Sequence, residues 1–328
     1  MHIVAISAVR RVFVTAGKNA ELAAGRCRAQ APPRRPGKAA RPGTARAPPA
    51  RICQTGSMYE DFLPADTLAF DHSYMTLTAG SCGVEIAGIA GDPDVVYPLA
   101  SVTKPIAAWS VLVAVERGLV SLDEQAGPEG STIRHLLAHA SGLPSAAGDP
   151  IAAPGTRRIY SNYGFDVLGE AVAARVGMSI QDWISHSVLE PLAMDETTIA
   201  GSIAYSGRSS LESLARFAIE VLRPTLISPE LAADVATPQF PGLSGILPGY
   251  GRQHDNLWGL GFEIRGEKSP HWTGSDFPTT TFGHFGQSGS FVWVDPVANQ
   301  AGVFLGNRMF GHEHAEVWPE LTNQMRAS

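Results

Sequence analysis

Through residues 73–99 apolar positions alternate with Gly, Ser and Asp in short stretches such as 84–89, a pattern that predicts strands joined by turns. From 105 to 117 the period lengthens. Ile106, Trp109, Leu112 and Val113 recur every three to four residues before Gly118, which predicts a largely buried helix. Residues 131–200 read as helices over 132–138, 166–175 and 179–188, with Gly177 closing the second and Pro144, Pro154 and Pro191 punctuating the loops. A further helix is predicted over 209–222, after which Pro, Gly and aromatic residues dominate as far as Trp258. Strand-like runs return over 257–264, 283–294 and 301–306, and a closing helix is predicted over 313–325. Strands at both ends of a helical middle predict an α/β (α+β) domain interrupted by an all-α lobe at about 125–225. The cleft between the two is the natural site.

Composition divides the chain into two electrostatic parts. Residues 1–57 hold 11 of the 25 Lys and Arg and one of the 31 acidic residues, leaving 14 against 30, a net charge of −16, on the remainder. Within 26–51 there are seven Arg, six Pro and seven Ala, too little apolar surface to offset chain entropy, so 1–57 is expected to be a disordered basic extension. Pattern begins just after Met58, which is expected to be the functional start, with the upstream part a gene-model artefact. The acidic remainder has no basic stripe to follow a phosphate backbone, so no nucleic-acid partner is expected for the folded domain. No run approaches the roughly 20 apolar residues of a membrane span. The apolar run 3–9 is followed by Arg10-Arg11 and lacks a small-residue cleavage site, so a cytoplasmic location is expected, with secretion or the cell envelope as the alternative. Cys27, Cys53 and Cys82 have no metal-ligand spacing and read as free thiols. His135 and His139 stand four apart without the intervening Glu of a metalloprotease helix, and neither metal nor organic cofactor is expected.

Three blocks carry chemistry. Ser101-Val102-Thr103-Lys104 puts a hydroxyl and an amine on one face of the first turn of the helix predicted at 105–117. Burial and the helix N-terminus can depress the Lys104 pKa until it takes the serine proton. Tyr160-Ser161-Asn162 follows the Pro154-Gly155 turn on a loop before a helix. Its phenol can shuttle a proton beside Lys104, and its amide can position the lysine and a substrate carbonyl. Gly283-His284-Phe285-Gly286-Gln287-Ser288-Gly289 precedes the run 291–294, and its glycines permit close approach of another backbone. The amides of Ser101 and Gln287 are candidates for an oxyanion hole, with His284 facing the same cavity. Trp258, Trp272, Tyr250 and Phe277 are candidates for an apolar acyl pocket or for plain core.

In this order the blocks resemble the serine β-lactamase and penicillin-binding-protein superfamily, in its class C-like branch of peptidases and esterases. The segments Leu136-Leu137-Ala138-His139-Ala140-Ser141-Gly142-Leu143-Pro144, Pro191-Leu192-Ala193-Met194 and Trp258-Gly259-Leu260-Gly261-Phe262 extend the resemblance over nearly everything after Ser73. It implies a β-lactamase/transpeptidase-like fold, an antiparallel sheet flanked by helices. It further implies Ser101 as acylated nucleophile, Lys104 and Tyr160 as proton carriers, and Asn162, His284, Phe285, Gly286 and Gln287 as substrate-binding positions. The substrate would be a small ester, amide or β-lactam. Phe285 departs from the pattern, because the superfamily commonly has a hydroxyl residue there that helps hold a substrate carboxylate. Its loss disfavours penicillins and D-Ala peptides and leaves an uncharged ester unaffected. A carboxylic esterase is therefore expected. A β-lactamase or D-Ala-D-Ala carboxypeptidase is the alternative, and a noncatalytic ligand-binding relative the third reading.

Overall fold

The computed structural model describes residues 68–81 and 83–328, together with the backbone of Ile52–Cys53. Its strands are β1 (Ile52–Cys53), β2 (His72–Gly80), β3 (Gly83–Ala90), β4 (Tyr97–Pro98), β5 (Thr198–Ile199), β6 (Gly207–Ser209), β7 (Gly245–Leu247), β8 (Gly251–Gln253), β9 (Glu263–Ile264), β10 (Phe282–Gly286), β11 (Ser290–Asp295) and β12 (Gln300–Gly306). The helices are α1 (Thr103–Glu116), α2 (Ile133–Leu137), α3 (Asn162–Val176), α4 (Ile180–Ile184), α5 (Leu211–Leu222), α6 (Pro229–Val235) and α7 (His312–Ala327). A seven-stranded sheet in the order β1-β3-β2-β12-β11-β10-β9 is antiparallel except where β1 meets β3.

Period-two alternation divides the apolar side chains of this sheet between two cores. Val292 and Val294 of β11, Ala301, Val303 and Leu305 of β12, and Met75 and Leu77 of β2 join the core built with α1 and α5. Their neighbours Phe291, Trp293, Phe304 and Tyr74 point the other way, into an aromatic core closed by Trp318, Leu321 and Met325 of α7. Helix α1 is buried from Thr103 to Ala114, all but its last two residues, the position expected of a helix apolar on all sides.

The expected antiparallel sheet flanked by helices, with a helical middle, is the observed architecture. Boundaries differ where local sequence underdetermines them. Helix α3 begins at Asn162, because the Ser161 hydroxyl accepts from Gly164 N at 2.7 Å and caps it. Asn162 is thus the first helical residue, where the sequence reading put it on a loop. The run 283–294 is a hairpin, β10 and β11, because Gly289 turns the chain with φ +81°. The run 257–264 contributes only Glu263–Ile264 to the sheet. The expectations for 1–57, for Met58 and for the three cysteine side chains lie outside the described residues, apart from the backbone of Ile52–Cys53 pairing with Val84 and Glu85. Among the described residues no helix is long and apolar enough to cross a membrane.

Candidate active site

Ser101 sits in a single 3-10 turn, Ala100–Val102, that feeds directly into α1. Ala100 adopts the left-handed region with φ 44°, a conformation that costs a non-glycine residue about 1 kcal/mol or more. Its surroundings hold it there. Thr103 Oγ1 donates to Ala100 O at 2.6 Å and accepts from Gly207 N at 2.9 Å, while Leu99 N donates to Gly207 O at 2.8 Å. On the other side β10 presses against the same turn. A Cβ on Gly286 would fall 2.3 Å from Leu99 O and 3.1 Å from Ser101 N, so only glycine lets the strand approach this closely.

Lys104 lies one turn on, fully buried. Its Nζ is 3.2 Å from Ser101 Oγ, 2.7 Å from Tyr160 Oη, 2.7 Å from Asn162 Oδ1 and 2.9 Å from Ala204 O. Tyr160 Oη is in turn 2.7 Å from Ser101 Oγ, which closes a triangle of hydroxyl, phenol and amine. Burial holds the Lys104 pKa well below its ordinary value, only partly offset by the Asp166 carboxylate. Burial pushes the Tyr160 phenol up, well above its ordinary value, against the opposing effect of its hydrogen bond with Ser101.

Two buried side chains place the Tyr160 segment. His139 Nδ1 accepts from Ser161 N at 3.1 Å and its carbonyl accepts from Ile159 N at 2.9 Å, while its ring tilts against Tyr160 with centroids 4.6 Å apart. Arg158 donates to four backbone carbonyls, those of Asn256, Ala138, Gln239 and Phe240. His135 turns elsewhere, bonded to Thr132 and stacked on Phe240, so it shares no site with His139.

The cavity in front of Ser101 has a volume of about 240 Å³ and is lined by Tyr160, Asn162, Trp258, His284, Phe285 and Gln287, with Leu247, Pro248 and Glu263 completing the wall. His284 is buried. Its Nδ1 donates to Phe285 O at 2.6 Å, and burial above all lowers its pKa to about 3, so the ring is neutral. Phe285 lends an edge to the cavity and buries its ring against Tyr250, Trp272, Phe310 and Trp318. Gly286 is absent from the wall and serves by allowing the approach to Leu99 and Ser101. Of the four aromatic candidates only Trp258 faces the cavity, since Trp272, Tyr250 and Phe277 belong to the aromatic core.

Behind the wall lies a charged network that the sequence reading missed. Glu263 Oε1 is 2.9 Å from Lys268 Nζ and accepts from His271 Nε2 at 2.9 Å, while Oε2 accepts from Trp272 Nε1 at 2.6 Å. Lys268 also donates to Leu257 O and Ile264 O, so three acceptors match the three N–H of an ammonium. Burial opposes ionisation of Glu263, yet Lys268, His271 and Trp272 hold its carboxyl far below the usual range. A glutamate directly after the apolar run 260–262 was the only signal. The Ala204 carbonyl had none, being backbone 100 residues from the lysine it meets.

A hydroxyl, a depressed lysine and a phenol gathered at the start of a buried helix, beside an antiparallel sheet, define the active-site architecture of the serine β-lactamases and penicillin-binding proteins. The Beta-lactamase family profile matches residues 83–325, and the chain belongs to that family. The chain is 28% identical to penicillin-binding protein 4* of Bacillus subtilis (strain 168) over 155 residues, spanning 37% of this chain and 33% of that relative's length. The structure resembles that of a β-lactamase from Mycobacterium bovis at 47% identity and a TM-score of 0.76, covering 78% of this chain and 94% of that one. It shares its fold with simvastatin synthase from Aspergillus terreus at 16% identity and a TM-score of 0.61, over 78% and 91% of the two chains.

Proposed function

We propose that this family member hydrolyses uncharged carboxylic esters through an acyl-enzyme on Ser101. The observation that carries the reading is the placement of Lys104. Asn162 Oδ1 and Ala204 O can only accept, so they take two N–H of the neutral amine and leave its one lone pair for the Tyr160 hydroxyl, which stands between it and Ser101. Ser101 Oγ attacks the ester carbonyl carbon as its proton passes through Tyr160 to Lys104, and the same proton then returns to the departing alkoxide. Water attacks the acyl-serine by the reverse relay, releasing the carboxylic acid and restoring the Ser101 hydroxyl. Backbone N–H groups of Ser101 and Gln287 receive the developing oxyanion.

The preference for uncharged esters rests on the cavity wall. Among its described residues there is no Lys or Arg, His284 is neutral, and Phe285 supplies no hydroxyl, so a substrate carboxylate would be desolvated without a cation to offset the cost. A second reading, β-lactam hydrolysis, is favoured by the designation of the 47% identical Mycobacterium bovis protein as a β-lactamase.

Initial rates for p-nitrophenyl butyrate and a chromogenic cephalosporin, with wild type and Ser101→Ala, separate these readings. Ester turnover that exceeds cephalosporin turnover in kcat/KM and disappears in the variant is expected. Faster cephalosporin hydrolysis would replace the ester reading with the second. Absence of turnover, with no labelling of Ser101 by a fluorophosphonate, would make the protein a binding relative.

A further inference from the structure

The residue that fixes what a substrate must offer this cavity is His284, and the polarity of its ring follows from the hydrogen bonds around it. The Phe285 carbonyl 2.6 Å from Nδ1 can only accept, so Nδ1 carries the ring proton. Nε2, at the far end of the ring, is then a lone pair. It has no protein partner, although the side chain is only 4% exposed and lines the cavity beside Ser101. Trp258 meets the ring edge-on at 5.3 Å and Tyr160 at 5.8 Å, which fixes the imidazole plane among cavity-lining groups.

Among the described residues no protein donor lies within hydrogen-bond distance of Nε2. Lys104 Nζ is shared among Ser101, Tyr160, Asn162 and Ala204, and Gln287 Nε2 donates to Phe310 O. Glu263 is an acceptor already engaged by Lys268, His271 and Trp272. A buried acceptor left without a donor is penalised, so an occupant that brings a donor is favoured over one that does not.

Resting on the esterase reading above, we propose that His284 Nε2 is the specificity-determining acceptor of the site, selecting esters that carry an uncharged O–H or N–H donor near the scissile carbonyl. A carboxylate presents acceptors only, so it meets repulsion where a hydroxyl meets a partner. The imidazole thereby inverts the preference that an ammonium at the same strand position would impose.

Three p-nitrophenyl esters of one chain length test this: butyrate, 3-hydroxybutyrate and the succinate monoester. With wild type, kcat/KM for the hydroxy ester is expected to exceed that for butyrate about tenfold, the worth of one hydrogen bond to an otherwise unpaired buried group, and the succinate monoester is expected to be the slowest. The hydroxy-to-plain ratio falls to about one in His284→Phe, stays well above one in His284→Gln, which keeps an acceptor oxygen, and gives way to preference for the succinate in His284→Lys. A wild-type ratio of one or below, or a ratio unchanged in His284→Phe, overturns the proposal. The wild-type ratios alone decide the matter if the variants fail to fold. Loss of Ser101-dependent turnover on all three esters sinks the esterase reading instead, so the two failures are distinguishable.

Discussion

Replacing Lys268 with Met probes the charge network that backs the cavity, because it strands one carboxylate in the interior. The Glu263 side chain is 2% exposed and that of Lys268 is fully buried, so their ion pair is exchanged for an unpaired anion. His271 cannot take over as the cation. Thr273 N donates to His271 Nδ1 at 3.1 Å, so the second ring proton has no place to sit. What remains to Glu263 is two neutral hydrogen bonds, from His271 and Trp272. Removing one partner of a buried pair in this way costs about 3–5 kcal/mol. At about 2–4 °C per kcal/mol for a domain near this size, Lys268→Met lowers Tm by about 6–20 °C. Urea titration followed by tryptophan fluorescence measures the loss, and the double variant Glu263→Gln/Lys268→Met should recover much of it because no charge is then buried.

Acid gives the loss a signature. In wild type the Glu263 pKa lies below its unfolded value, so the group contributes stability above the ordinary carboxylate range that is lost as the pH falls through the folded pKa. In Lys268→Met burial raises the folded pKa above the unfolded one, so the folded state binds the proton first and the variant regains stability as the pH falls. The stability gap between the two proteins therefore narrows towards acid. A loss below about 1 kcal/mol, a double variant as unstable as the sum of the singles, or a gap that widens in acid would refute the reasoning.

Two further outcomes follow from the site geometry. Gly286→Ala places a methyl 2.3 Å from Leu99 O and 3.1 Å from Ser101 N, displacing β10 or the nucleophile turn; kcat/KM for p-nitrophenyl butyrate is expected to fall about 100-fold, with the far-ultraviolet spectrum unchanged. In the proposed mechanism Lys104 accepts the serine proton as a neutral amine; its pKa is lowered by burial, so kcat/KM is expected to fall on the acid side as the ammonium forms, and Asp166→Asn is expected to move that limb to lower pH by removing the carboxylate that raises the value. An acid limb that Asp166→Asn leaves in place, in stopped-time assays from pH 5 to 9, would remove Lys104 from that role.

How much was readable in the residues depended on the distance over which each feature is decided. Ser101 and Lys104 are three apart on one helix, and the Ser-x-x-Lys spacing alone brings their side chains within reach. The apolar runs of β11 and β12 likewise declared themselves as strands, and they are continuous because each strand faces an apolar core on both sides. The glycines of β10 signalled a close backbone approach, but the partners came only with the fold: Val292 O crowds Gly283, and Leu99 O crowds Gly286. The first part of the 257–264 run was misjudged because its residues satisfy their backbone groups in turns, with Gly259 N bonded to Phe262 O and Gly261 N to Leu137 O.

The residues alone nominated Ser101, Lys104 and Tyr160 as candidate site groups, set strands on either side of a helical lobe, and showed the absence of a hydroxyl at Phe285. These are matters of residue type and short spacing. Tertiary structure decided the protonation of the site and its polarity. Lys104 loses its proton affinity, and His284 stays neutral with its free nitrogen as an acceptor, because chain segments far apart in sequence remove water from both and leave no carboxylate touching either. Desolvation is set by everything packed around a group, and so it is written in no single stretch of the chain.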